Sequence, residues 1–249
     1  MKSKFLIVAG AFGCLFTSSS CSKKSSGPAK PSCELVTIKT NITGGGGETA
    51  TLTYDAQDRV IGIETVIPGS STINKTFIYS GNTVIVNETL AGKPYSTDTI
   101  TLNSSGQIQT DHNTYIAGGT SYLLTYTFSG TQVQKLVQQD PGGNVLAMET
   151  YTWSGGNLIS TTSESGGTAF TANYSYNNLP AQTGDYWSEY QLVATPVAYI
   201  KTANMVTAIT NPNETDTFFY SSDSTGKITG VSAMYGSSAE TLSYQWSCQ

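Results

Sequence analysis

The chain has 249 residues with 12 basic and 17 acidic side chains, a formal net charge of −5 and a single histidine. Charged residues make up only 12% of the chain and form no basic stripe, which excludes a typical nucleic-acid interface. Abundant tyrosine, threonine, glycine and asparagine favour strands joined by tight turns and argue against a helical bundle.

The N-terminus has the pattern of an export signal. Two lysines precede an apolar run, Phe5–Phe16, which is too short for a permanent membrane span and fits a secretory signal. Small residues then precede Cys21, which resembles the lipobox of bacterial lipoproteins. We predict a lipoprotein signal peptide over 1–20, lipidation at Cys21 and a flexible tether over 21–32. The alternative is simple cleavage without a lipid.

Two further cysteines, Cys33 and Cys248, lie at the two ends of the remaining chain. In an oxidising compartment this pair indicates a disulfide, although two buried thiols that never meet remain the alternative. Neither cysteine has a CxxC neighbour or a nearby histidine, so the sequence indicates no metal site here.

A repeat then runs along the chain. Each unit has an aromatic or large apolar residue, preceded two places earlier by an apolar residue and followed by a turn rich in glycine, asparagine and serine. Successive units are 21 to 26 residues apart. The pairs are Leu52 and Tyr54, Phe77 and Tyr79, Ile100 and Leu102, Tyr126 and Phe128, Tyr151 and Trp153, Tyr174 and Tyr176, Val197 and Tyr199, Phe218 and Tyr220, Leu242 and Tyr244.

A second turn signal lies between neighbouring pairs, so each unit is a hairpin. Threonine or serine occupies the alternate positions, as at Thr51 and Thr53, which is typical of an antiparallel sheet with one buried and one solvated face. We predict an all-β, up-and-down meander of about 16–18 strands over 33–249, curled or closed like a barrel. A bond between Cys33 and Cys248 would bring the first and last strands together. Because side chains cannot fill a circular interior of that size, we expect flattening, opening or a cavity lined by the inward tyrosines of the repeat.

The segment 181–195 lacks this alternation. Asp185 is placed to cap a short helix that carries Tyr186, Trp187 and Tyr190. We expect a helix of one to two turns, or an irregular plug, near an opening of the sheet. The three aromatic side chains either cover exposed apolar sheet or line a ligand site.

The stretch from Tyr54 to Val60, Tyr-Asp-Ala-Gln-Asp-Arg-Val, resembles the Tyr-Asp core of YD/RHS-type repeats, and Leu102–Ile108 is a degenerate copy. Together with the lipobox, the arrangement resembles a family of Gram-negative lipoproteins of uncharacterised function with serial YD-like hairpins. The resemblance covers about residues 34–249. It implies a porin-like β fold and transfers no catalytic residue.

The sequence contains few groups suited to catalysis. His112 and Asp111 are neighbours on a strand and so point to opposite faces. We predict no catalytic residues, no cofactor and no metal, since neither Asp55–Asp58 nor Asn211–Asp216 has the spacing of a calcium loop. The acidic residues are scattered, and we expect most of them at turns or on the hydroxyl face. Because glycosidases need only two carboxylates, a carboxylate-dependent glycoside hydrolase remains an alternative.

The return strands at 107–112 and 159–164 are polar on both faces, which disfavours a barrel embedded in lipid. We therefore expect an outer-membrane lipoprotein, facing the periplasm or the cell surface, whose membrane contact is its N-terminal lipid. The expected function is non-catalytic binding of a glycan, a small apolar molecule or a partner protein, with no nucleic acid involved. A structural outer-membrane lipoprotein or a membrane-embedded barrel is the remaining alternative.

Overall fold

The structure is a computed structural model that describes residues 33–248 apart from 117 and 237. The predicted signal peptide over 1–20, the lipidation site Cys21 and the tether over 21–32 lie outside the described residues.

Sixteen antiparallel strands follow one another along the described part of the chain, and each pairs with the next to form a closed barrel. The first eight are β1 (Cys33–Ile42), β2 (Gly47–Tyr54), β3 (Val60–Val66), β4 (Ile73–Ser80), β5 (Thr83–Leu90), β6 (Lys93–Leu102), β7 (Ile108–Tyr115) and β8 (Thr120–Ser129). The others are β9 (Gln132–Gln139), β10 (Val145–Ser154), β11 (Asn157–Ser165), β12 (Thr168–Pro180), β13 (Asn204–Thr210), β14 (Thr215–Ser222), β15 (Ile228–Tyr235) and β16 (Ser238–Cys248). A helix, α1 (Tyr186–Ala194), lies between β12 and β13. The predicted meander with a short helical insert is confirmed.

The first and last strands close the barrel. β1 pairs with β16 in a ladder that begins with Cys33 opposite Cys248 and ends with Ile42 opposite Glu240. The two cysteines form the predicted disulfide, with their Cα atoms 4.0 Å apart. Closure leaves neither strand with an unpaired edge.

The barrel has two different ends. We call the end that holds the turns after the aromatic pairs, together with Cys33 and Cys248, the repeat end. The other end, with hairpin turns such as 91–92 and 140–144, is the far end.

The interior of the repeat end is apolar and closed by aromatic side chains. Tyr54, Tyr79, Tyr176 and Tyr220 donate their hydroxyls to the carbonyls of Leu35, Val60, Leu158 and Val206 at 2.6–2.8 Å. Trp153 and Trp246 donate in the same way to Val133 and Ile228 at 2.7 and 2.9 Å. Each of these rings therefore satisfies a carbonyl of a nearby strand while burying apolar surface. The expectation that the tyrosines of the repeat line a cavity is wrong for these four, because they form the closed end of the core.

The outer wall carries hydroxyl side chains. Thr37 lies opposite Thr51, and Thr150 opposite Thr162, whose Oγ1 lies 3.0 Å from Oγ1 of Thr171. Residues at the neighbouring positions of the same strands face the core, which confirms the two-faced sheet. In the part of the chain that the structure describes, no helix has the length and apolar character needed to cross a membrane.

A β-bulge interrupts most strands that return from the repeat end. On β7 the register shifts between Thr101 and Leu102 of its partner, so that Ile108 and Asp111 both face inward although they are three positions apart. Similar shifts occur where β3, β9, β11 and β15 begin. The bulge moves the alternation by one residue. Beyond it β7 carries polar side chains on both faces, with Asp111 inward and His112 outward.

Several hairpins share one five-residue turn, and it explains the Asp of the YD-like motif. The Asp55 carboxylate accepts hydrogen bonds from the backbone amides of Gln57 and Arg59 at 2.9 and 3.1 Å, and Asp58 takes a positive φ of 58°. The turns that begin at Asn103, Asp140 and Asp223 have matching backbone bonds, and a glycine supplies the positive φ in each. Arg59 also pairs with Asp55 at 2.6 Å, so the carboxylate already has partners within its own turn.

Candidate functional site

The segment between β12 and β13 packs against the inward-facing side chains of the barrel. Its helix begins where Asp185 caps the first turn by accepting from the backbone amides of Ser188 and Gln182 at 2.9 and 3.0 Å. The predicted cap is therefore present. The irregular part continues to residue 203, where the amide of Ala203 donates to Gly156, so the insert is longer than the predicted 181–195.

Gln191 holds the returning chain against α1. Its side-chain amide is 1% exposed and donates to the carbonyls of Trp187 and Ile200 at 2.9 and 2.8 Å. Its oxygen accepts from the backbone amides of Tyr199 and Ile200 at 2.7 and 2.6 Å. A buried amide with four partners fixes both segments without an unsatisfied polar atom. The prediction that Val197 and Tyr199 form a strand pair of the repeat is wrong, because both lie in this irregular segment.

The three aromatic residues singled out from the sequence come together on α1. The ring centroid of Tyr186 lies 5.0 Å from that of Trp187 and 5.9 Å from that of Tyr190. Trp187 is buried, with its ring 5.2 Å from Tyr174, whereas Tyr190 is 48% exposed. Tyr186 also contacts Phe218 of β14 at 4.7 Å. Trp187 thus belongs to the core, and Tyr186 and Tyr190 border open space.

A cavity of about 290 Å³ lies between α1 and strands β13–β16. The apolar part of its lining includes Ile209, Phe218 and Leu242. The remaining lining is aromatic or acidic and comprises Tyr186, Glu189, Tyr190, Asp216, Tyr235, Glu240 and Tyr244. We call this space the helix cavity. A smaller space of about 80 Å³, lined by Glu149, Tyr151 and Tyr199 among others, adjoins the other side of Tyr186 and Tyr190.

Two carboxyl groups of the helix cavity, those of Glu189 and Asp216, have a raised pKa. Burial, and then the nearby Glu240 and Glu48, raise the pKa of Glu189 to about 7. Burial and Glu214 raise the pKa of Asp216. Burial is also the largest cause of the raised pKa of the Tyr244 hydroxyl.

Two polar atoms that line the helix cavity have no hydrogen-bond partner among the described residues. They are Oδ1 of Asp216 and the hydroxyl of Tyr244, whose residue is only 7% exposed. Buried polar atoms are almost always paired in folded proteins. These two atoms are therefore suited to contact a polar group placed in the cavity.

The far half of the interior contains more carboxylates than the sequence indicated. Asp98 and Asp111 face inward on β6 and β7, where Asn113 donates to Asp98, and burial followed by Asp98 raises the pKa of Asp111 to about 7. Glu88 faces inward on β5, 3.6 Å from Lys75 of β4. The expectation that the acids lie mostly at turns or on the hydroxyl face is wrong for this group, because the strands carry them on the core-facing side.

The sequence did not identify Glu189, Asp216, Tyr235 and Glu240 as lining residues, whereas Tyr244 is one of the repeat tyrosines expected to line a cavity. Glu189 is on α1, but those on strands lie two residues from an inward-facing apolar residue, as Asp216 is from the buried Phe218 and Glu240 from the partly buried Leu242. That spacing places both side chains on one face of the strand.

A second hollow of similar volume, about 290 Å³, lies at the rim of the far end between the β9–β10 and β11–β12 turns. Val145 and Leu146 line it and are 61% and 45% exposed. It lacks the buried, convergent polar groups of the helix cavity, which we therefore take as the candidate site.

Neither a catalytic triad nor a metal cluster forms among the described residues. His112 is exposed on the outer wall and Asp111 points inward, so the two side chains lie on opposite faces of β7 as expected. Within 33–248, apart from the two undescribed positions, no three His, Cys, Asp or Glu residues group as metal ligands would.

Solved structures share this barrel. A porin-like protein from Bacteroides uniformis ATCC 8492 superposes with a TM-score of 0.65 at 16% sequence identity, covering 86% of this chain and 96% of that one. A porin-like protein from Bacteroides vulgatus ATCC 8482 gives a TM-score of 0.59 at 12% identity, with coverage of 86% and 99%. No family model and no curated protein matches the chain. The chain therefore has a porin-like β-barrel fold, as the sequence resemblance implied.

Proposed function

We propose that this chain is an exported, lipid-anchored protein that binds a small molecule, without transforming it, in the helix cavity. The observation that carries this proposal is an aromatic cavity built inside a closed barrel, with Tyr186 and Tyr190 of the insert on one side and β13–β16 on the other. Concave sites with mostly apolar and aromatic linings and a few convergent polar groups are typical of ligand binding.

The outer wall supports anchoring through a lipid at Cys21 in preference to embedding of the barrel. A transmembrane barrel presents an apolar band to lipid and keeps polar side chains inside. Here the wall carries exposed threonines such as Thr51, Thr99 and Thr150, while the apolar residues fill the repeat end. At the repeat end the polarity is thus the reverse of that in a porin of the membrane. The wall also carries separate exposed apolar side chains, such as Ile78 and Phe219.

A thermal-shift screen with neutral sugars and small aromatic alcohols tests the binding proposal. We expect at least one class to raise the melting temperature of the wild-type protein, because a ligand that binds only the folded state stabilises it. Tyr190→Ala should abolish that shift, since its half-exposed ring borders both spaces. Phe219→Ala is the matched control, because Phe219 is 62% exposed on the outer face of β14.

Absence of any ligand-dependent shift, across these compounds and the charged probes described below, would contradict the proposal. Release of reducing sugar from a glycan in the same incubations would instead favour the glycoside hydrolase, for which a carboxyl group with a pKa near 7, such as Glu189, is suited as the proton donor.

Anchoring is tested separately by fractionation. Replacing Cys21→Ser should move the protein from the membrane fraction to the soluble fraction, because the lipid is attached to this thiol in the proposal. Retention of the variant in the membrane fraction would contradict a lipid anchor at Cys21.

A further inference from the structure

The far half of the interior has an excess of negative charge. Its strands direct carboxylates inward at Glu88, Asp98, Asp111, Glu149, Asp216 and Glu240, and α1 adds Glu189. Among the described residues, the basic side chain on the same surface is Lys75, which lies beside Glu88 on the opposite side of the barrel from the helix cavity.

Within the helix cavity, no basic side chain of the described residues accompanies the carboxylates. Glu189, Asp216 and Glu240 line it together with aromatic and aliphatic side chains, and none of the lysines, the arginine or the histidine in 33–248 does so. The groups that perturb Glu189 are themselves acidic, namely Glu240 and Glu48. Burying carboxylates without a positive partner is unfavourable, so this cavity is stabilised by whatever brings positive charge into it.

Tyr244 provides a second, independent observation. Its hydroxyl has no hydrogen-bond partner in the described part of the chain, and the residue is more than nine-tenths buried. The side chain lines the helix cavity together with Asp216, whose Oδ1 also lacks a partner there. These two oxygen atoms belong to residues that line one cavity, and both can accept hydrogen bonds from an ammonium group.

The aromatic lining adds a third feature. Tyr186 and Phe218 contact each other at 4.7 Å, and Tyr190 stacks on Tyr186 with an angle of 16° between the ring planes. Aromatic faces attract organic cations and also cover an apolar body. The volume of about 290 Å³ suits a small molecule and is too small for a folded peptide segment.

We propose that the ligand of the helix cavity is an organic cation, an ammonium group carried on an apolar or aromatic body, held by Glu189, Asp216 and Glu240 and by the hydroxyl of Tyr244. This inference rests on the proposed binding function and specifies the chemistry of its ligand. The carboxylates neutralise the ammonium group, and Tyr186, Tyr190 and Phe218 contact its body.

The test is a calorimetric titration of the whole protein with 2-phenylethylamine and with 2-phenylethanol, which have the same body and differ in charge. We expect the amine to bind about tenfold or more tightly than the alcohol, equivalent to about 1.4 kcal/mol. Phenyltrimethylammonium has a permanent positive charge but no N–H group, and it should also bind. Its affinity relative to the amine shows how much of the binding depends on charge and how much on donated hydrogen bonds.

Variants that remove one carboxylate at a time test whether the acidic side chains hold the ammonium group. Glu240→Gln and Glu189→Gln should each weaken amine binding severalfold and leave alcohol binding unchanged. Glu164→Gln is the matched control, because Glu164 is an exposed acid on the outer wall, opposite Met148 of β10. Glu240 is on a strand near the far end, so its variant provides the answer even if a change within α1 disturbs folding.

The outcomes separate the two proposals. Equal affinity for amine and alcohol, or equal loss for both in Glu240→Gln, overturns the cation inference and leaves the binding function standing. Binding of neutral sugars alone does the same. If neither probe nor any neutral compound binds, both proposals fail.

Discussion

The two halves of the barrel interior are built from the same repeat but differ in chemistry. In the repeat half, apolar side chains such as Leu158 and Ile228 are fully buried, and aromatic residues bond to backbone carbonyls. In the far half, inward positions of several strands carry carboxylates, and two acceptors of the helix cavity have no partner among residues that the structure describes. The repeat half therefore contributes most of the apolar packing that stabilises the barrel. The far half contains buried carboxylates and unpaired polar atoms, which are unfavourable for folding and suited to contact a ligand.

The largest effect should follow from breaking the disulfide at the repeat end. Cys33 and Cys248 are 215 residues apart, and the chain-entropy estimate for a loop of this length is about 5 kcal/mol. Urea unfolding with and without reductant should show a loss of up to about that size. Hydrogen exchange should quicken first at the Cys33 end of β1, because the bond joins the strands there.

The double variant Cys33→Ser with Cys248→Ser is the control, and reductant should no longer change its unfolding curve. Equal loss of protection in α1 and in β1 would contradict the idea that the repeat end is the part that the bond stabilises.

The fold was largely predictable because the repeat determines strand number and face. Alternation along incoming strands, such as Thr51–Tyr54, identifies the inward pair, and the cysteines indicate closure. The seventh pair, Val197 and Tyr199, has nearly the same spacing and apolar character as a true pair. Spacing alone does not reveal that a capped helix and Gln191 hold this segment against the inner wall.

The acidic interior was harder to predict, and the bulges are one reason. Counting alternate residues from Ile108 places Asp111 on the outer wall, whereas the bulge turns it inward. The second reason is that carboxylates near a turn usually face solvent, and local sequence does not show that the far ends of sixteen strands enclose them. The aromatic residues of α1 were found because the segment lacks strand alternation, but their contacts with Phe218 depend on tertiary packing.

A paired substitution on one strand tests the contrast between the halves. Leu158 and Ser163 both face inward on β11, Leu158 in the repeat half and Ser163 toward the far end. Leu158→Ala should lower the free energy of unfolding by about 3 kcal/mol, because it leaves a cavity in a fully buried site. Ser163→Ala should cost less than about 1 kcal/mol, since it removes one long hydrogen bond, 3.3 Å, to Glu149. Urea unfolding measures the free energy of unfolding of both variants. Similar losses of this free energy in the two would show that the far half is packed as tightly as the repeat half.

The last prediction concerns the pH dependence of stability at Asp111, in the far half. There, removing a buried carboxylate should stabilise the protein, whereas removing a buried side chain from the repeat half destabilises it. Its pKa is about 7, against an ordinary value of 3.8, because burial and Asp98 disfavour the charged form. The folded state therefore binds more protons than the unfolded state between about pH 4 and pH 7, and this group lowers stability as the pH rises through that window. The full shift corresponds to an upper limit of about 4 kcal/mol, which relaxation and water entry around a partly buried carboxylate reduce. Asp111→Asn should therefore gain about 1 to 2 kcal/mol relative to wild type at pH 8 and almost nothing at pH 4. Urea unfolding at the two pH values measures this difference, with Glu164→Gln on the outer wall expected to stay level with wild type at both. A loss of stability in Asp111→Asn at pH 8 would mean that the carboxylate is stabilised in the folded protein, and the far half would then not be a region of unfavourable charge.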